Sequence, residues 1–243
     1  MTVEFMLKSS IAFASSLLVV GLLGGLMPLL SNLKERGLHS LLALGTGMLL
    51  GTIFLHMLPE AMSDHRFSLL VLFGLMIIFI VERLVFGQNQ PSTHSLIGLT
   101  AFFGLSIHAV MVGFSLSFTF LQPETQAAFL ISILIHKFSE TFALTSVFML
   151  AGYSKAKSVK LILIFSLFTP ISLLLGKLLV KSAASIFIEA AAAVATGTFL
   201  YVAVVDLLPE VFHHPRGRWR HLIALLVGVM VIALIIDAGN FTH

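Results

Sequence analysis

His136, Lys137 and Glu140 sit in the middle of AAFLISILIHKFSETFALTSVFMLAG, a stretch otherwise long and apolar enough to cross a bilayer. A charge at the centre of a membrane helix costs about 2.5–3.5 kcal/mol on insertion scales. Such residues therefore face a bundle interior, where they pair, bind an ion or line a wet path. His136 and Glu140 are four apart and share a helix face. Imidazole and carboxylate side by side are donors for a divalent metal of borderline softness. His108 is the one ionisable residue of LIGLTAFFGLSIHAVMVGFSLSFTFL and lies at about mid-depth. The QPETQ connection is short enough to make these two stretches antiparallel neighbours. His108, His136 and Glu140 are thus expected to converge at the bilayer centre as ligands for one ion, with a fourth position for water or Ser. Ser106, Ser115 and Ser139 are expected to hydrogen-bond around them. The bland alternative is a set of interhelical hydrogen bonds, since an H-x-x-x-E pair alone is a common accident; three groups at matched depth favour the metal. Lys137 points about 100° away from His136 around the helix and is expected off that face, paired with a carboxylate. Its charge argues for one ion rather than two.

These groups need a membrane scaffold, and the composition supplies it. Apolar side chains make up 58% of 243 residues and charged ones 10%, which excludes an ordinary soluble domain. With no Cys there is neither a disulfide nor a thiolate site, and the basic residues sit in short loops rather than in a patch for nucleic acid. Eight apolar spans are expected, at roughly 9–30, 40–59, 67–86, 96–121, 127–151, 159–180, 184–208 and 221–239. The first reads as a retained helix rather than a cleaved signal. Connections after the odd-numbered spans carry Lys34, Arg36, Arg83, Lys155, Lys157, Lys160, Arg216, Arg218 and Arg220. The other side has only Lys8, Arg66, Lys177 and Lys181, so nine against four places the first set in the cytoplasm. Both termini are then extracellular or lumenal.

The second span, ALGTGMLLGTIFLHMLPE, and the seventh, ATGTFLYVAVVDLLPE with its preceding AV, match without a gap at an offset of 150 residues. Ala43 pairs with Ala193, Thr46 with Thr196, Gly47 with Gly197, Pro59 with Pro209 and Glu60 with Glu210. The two cross in opposite directions, the mark of an inverted repeat, here spans 1–3 and 6–8 around spans 4–5. His56 and Glu60 then lie toward the outer end, and Asp206 and Glu210 toward the inner end, as expected pathway residues, although helix-end polar groups are the simpler reading for the two Glu. Gly47, Gly51 and Gly197 permit close helix contact. Thr169-Pro170 is expected to kink the sixth span, and His213 and His214 are loop residues able to pass on a metal.

HAVMVGFSLS, HKFSETFAL, FSLFTPISLLLG and ATGTFLYVAVVDLLPE together resemble conserved-pattern segments of the ZIP (Zrt-, Irt-like protein) family of divalent metal transporters. The resemblance covers spans 2 to 8. It implies an eight-helix fold with both termini outside, import of zinc or related ions, and His108, His136 and Glu140 as the transport site. Val112, Ala109, Lys137 and Ala192 depart from the family pattern, and Ala109 and Lys137 replace groups that complete a second metal site in other members. The connection between spans 3 and 4, GQNQPSTHS, carries only His94 where members often have a long His-rich loop.

The expectation is an all-α integral membrane protein, a single transmembrane domain over residues 1–243. It carries a divalent cation, zinc or else Fe2+, Mn2+ or Cd2+, toward the cytoplasm through a mononuclear His/His/Glu site. It is not an enzyme and has no resident cofactor; its partners are the metal and the lipid bilayer. The plasma membrane is the expected location, and the sequence leaves both a monomer and a homodimer open. An intramembrane zinc-dependent hydrolase is the competing class; no second acid/base pair accompanies the site.

Overall fold

In hydrocarbon every backbone N–H and C=O must be satisfied within its own segment, so long apolar stretches become helices. The computed structural model describes residues 3–31, 35–62, 64–86, 94–119, 127–179, 185–213 and 217–240. Among them every regular element is helical, and eight helices are long and apolar enough to span a membrane. They are α1 (Val3–Leu30), α2 (Glu35–Thr52, continued by Ile53–Met57 and Leu58–Ala61), α3 (His65–Phe86) and α4 (His94–Thr119). The others are α5 (Ala127–Leu150), α6 (Lys155–Leu179), α7 (Ser185–Tyr201, continued by Val202–Leu207 and Leu208–His213) and α8 (Arg218–Asn240). Lys34, Lys181, His214, Pro215 and Arg216 lie outside the described residues, as do the side chains of Lys8 and His94.

The second and seventh helices outrun the spans expected of them, and both do so through a π turn. Leu58 donates its N–H to the Ile53 carbonyl, and Leu208 to that of Ala203, five residues back in each case. Pro59 and Pro209 follow immediately. A proline ring presses on the carbonyl four residues earlier, and the wider π stride just ahead of each one gives that carbonyl room. Helix therefore continues through the Leu-Pro-Glu segments, carrying Glu60 and Glu210 on helical backbone rather than in loops. The end of α5 is a Schellman stop: Gly152 takes φ 72°, Tyr153 donates to the Phe148 carbonyl at 3.0 Å and Gly152 to that of Met149 at 3.1 Å. α6 runs unbroken through Pro170.

α5 is the most enclosed helix, and α3 and α8 are the most exposed. Its chief neighbours are α1 and α2, while those of α4 are α6 and α7. The expected side-by-side pairing of α4 with α5 is thus only a crossing. Small residues decide this. A Cβ on Gly24 of α1 would lie 2.5 Å from the Phe138 carbonyl oxygen of α5, and one on Gly113 of α4 would lie 2.5 Å from that of Thr169 in α6. Glycine lets those backbones meet, and dispersion over the contact draws each central helix outward. Exchanging α1 with α6, α2 with α7, α3 with α8 and α4 with α5 returns the same chief neighbours: α2–α8 becomes α7–α3, and α1–α5 becomes α6–α4.

Candidate metal centre

At the crossing of α4 and α5 the ligating atoms of His108, His136 and Glu140 lie within 4.8 Å of one another, all three residues buried. His108 Nε2 and His136 Nε2 are 3.1 Å apart, and Glu140 Oε1 stands 3.0 Å from the first and 2.9 Å from the second. His108 Nδ1 donates to the Ala195 carbonyl of α7 at 2.9 Å, so in the neutral ring Nε2 carries a lone pair. Phe199 stacks on the His108 ring at 4.2 Å and meets His136 edge-on at 5.0 Å. A proton on His136 Nε2, or a cation among the three atoms, holds two imidazoles and a carboxylate together at these distances. Four-coordinate zinc, with bonds of about 2.0–2.1 Å, needs ligand atoms slightly farther apart than these and would spread the triangle by a few tenths of an ångström.

Lys137 was expected away from this cluster, and its ammonium is nevertheless joined to it. Nζ donates to Glu140 Oε2 at 2.9 Å and to Thr169 Oγ1 at 3.0 Å, and lies 4.1 Å above the Phe165 ring. Residues three apart on a helix are neighbours, and a four-carbon stem spans the wheel angle that separates the Cβ atoms. The expected pairing with a carboxylate is present. Of the three serines expected as outer support, Ser106 and Ser139 donate to their own helix at Phe102 and Ile135, and Ser115 lines the cavity that reaches His136; Ala195, Phe199 and Thr169 also contact His108, His136 or Lys137.

A cavity of about 330 Å³ reaches His136 from one end of the bundle, lined among others by His56, Glu60, Val112, Ser115, Glu189, Ala192 and Thr196. His56 Nε2 is 3.9 Å from Glu60 Oε2, and Glu60 is well exposed. Glu189 was missed as a site residue; the 150-residue offset, carried beyond the matched segment, pairs it with His39. Beside the mouth, hydrogen bonds from the Arg66 guanidinium and backbone hold the Asp64 carboxyl below the usual range.

At the opposite end the described polar groups are packed together. Glu210 is buried, its Oε1 4.0 Å from His39 Nε2, and the rings of His39 and His221 stack at 5.7 Å. Asp206, on the π turn of α7, bonds Thr100 and faces Glu82, whose Oε2 accepts a hydrogen bond from Tyr201 Oη at 2.5 Å. His56 and Glu60 therefore line the cavity, and Asp206 and Glu210 lie toward the opposite end.

Eight membrane-length helices around a buried donor set for a divalent cation define a multi-pass membrane protein built to handle metal. Residues 87–236 match the family described as ZIP Zinc transporter. The chain belongs to that family, whose members are transporters, and its activity is transport of zinc or a related divalent metal. It is 27% identical to the zinc transporter ZIP9 of Xenopus tropicalis over 297 aligned residues, covering 96% of this chain and 98% of the relative. It is 34% identical to the ZIP9 of Macaca fascicularis over 155 residues, with 56% of this chain and 66% of the relative covered. Against the zinc transporter ZIP13 of Pongo abelii identity is 26% over 253 residues, covering 89% and 75%.

Proposed function

We propose that the chain, as one transmembrane domain, carries zinc toward the cytoplasm through a single-ion site formed by His108, His136 and Glu140 at the bilayer midplane. The observation that carries this is the triangle of potential ligand atoms at 2.9–3.1 Å at the inner end of an open cavity. Metal enters past His56, Glu60 and Glu189 and leaves past Asp206 and Glu210. The matched Leu-Pro-Glu segments, the paired π turns and the exchange of the chief helix neighbours support an inverted repeat of α1–α3 and α6–α8 around α4 and α5. Rocking of such halves exposes a fixed site alternately to each side. The loop charges favour both ends of the chain on the outer side, in the plasma membrane. His and carboxylate must give up protons to bind a metal, so acidifying the donor side slows uptake.

Radiozinc uptake into reconstituted vesicles, with Fe2+, Mn2+ and Cd2+ as competitors, tests the reading. Saturable uptake by the wild type and background uptake by His136→Ala are expected. Wild-type uptake by a folded His136→Ala overturns it, and so does release of a lipid product with no isotope crossing, which favours a hydrolase.

A further inference from the structure

The geometry points to Lys137 as the residue that makes this site select tetrahedral zinc over larger divalent ions, by holding one oxygen of Glu140 out of the metal's reach. This rests on the proposed transport site and names what sets its preference. An ammonium has three N–H bonds, and all three directions are filled: Glu140 Oε2 at 2.9 Å, Thr169 Oγ1 at 3.0 Å and the Phe165 ring at 4.1 Å. The residue is 2% exposed. Both imidazoles meet the other carboxylate oxygen, Oε1. A cation seated between the rings reaches Oε2 only by displacing a fixed positive charge.

Glu140 is thereby limited to one bond. Two imidazole nitrogens, one carboxylate oxygen and one further position suit zinc, which is content with four ligands. Manganese prefers six, largely oxygen, and larger cations take a carboxylate through both oxygens. In the wild type that second bond is blocked. Lys137 is a positioning residue: it touches the ligand and not the ion.

Lys137→Met keeps the length and removes the charge. Losing one positive charge strengthens binding of every divalent ion alike, so that effect cancels from a ratio and the change in geometry remains. In paired uptake of radiolabelled Mn2+ and Zn2+ by vesicles, the Mn2+:Zn2+ ratio is expected to rise by about tenfold in Lys137→Met, the lower bound for displaced ligand support. A merely structural role lowers both rates together, and an unchanged ratio overturns the proposal. A second measurement needs no variant. Zinc-edge X-ray absorption of the loaded wild type is expected to show two imidazoles and one short carboxylate bond in a four-coordinate site. Two imidazoles with both carboxylate oxygens bound overturn the Lys137 proposal and leave the transport site standing. A spectrum without paired imidazoles overturns the transport site and the proposal with it.

Discussion

Glu140 is the residue on which the centre depends, because its two oxygens face different partners. Oε1 meets both imidazoles and Oε2 meets Lys137. Glu140→Gln leaves a buried ammonium uncompensated, and breaking a buried pair from one side costs about 3–5 kcal/mol. Thermal unfolding in detergent should show a clear drop for Glu140→Gln and partial recovery when Lys137→Met is added; equal melting of single variant and wild type contradicts the pairing. His108, His136 and Glu140 were legible in the sequence, because depth in a span and four-residue spacing are both read by counting. The partner of Lys137 was not. A helical wheel gives the direction of Cβ and not the reach of a long side chain. Phe199 was illegible as well: one of 22 Phe in the chain, it is set apart only by the ring it stacks on.

Among the helices, α2 and α7 do equivalent work, and glycine shows how. A Cβ on Gly47 would lie 2.0 Å from the Leu225 carbonyl oxygen of α8, and one on Gly197 would lie 1.9 Å from that of Val71 in α3. Nothing flexible stands there to move aside, so Gly47→Ala and Gly197→Ala each push apart a backbone contact. Overpacking of this kind costs about 1–3 kcal/mol, which size-exclusion stability in detergent should register for both variants. Gly152→Ala meets no atom within 4 Å and suffers only from its φ of 72°, so it separates steric from conformational cost. Comparable wild-type behaviour of the two helix variants contradicts the close packing. The Leu-Pro-Glu match was visible in sequence, and the π turns ahead of it were not. Apolar spacing cannot distinguish a five-residue hydrogen-bond stride from a four-residue one over a single turn, and so the helix ends were read too early.

Across the whole molecule the two ends differ: the side chain of Glu60 is 64% exposed at the mouth of the cavity, and that of Glu210 is 5% exposed beneath His39. The chain contains no cysteine, so an introduced one is the only thiol present. A membrane-impermeant thiol reagent added outside the cell should label Glu60→Cys rapidly and leave Glu210→Cys untouched. The reverse pattern overturns the proposed orientation. The central claim, that two imidazoles and one carboxylate share an ion in transit, is tested most directly by the anomalous scattering of zinc in crystals of the loaded protein. One peak at about 2.0–2.2 Å from His108 Nε2, His136 Nε2 and Glu140 Oε1 is predicted. A zinc peak elsewhere in the bundle, with those three atoms still bonded to one another, contradicts it.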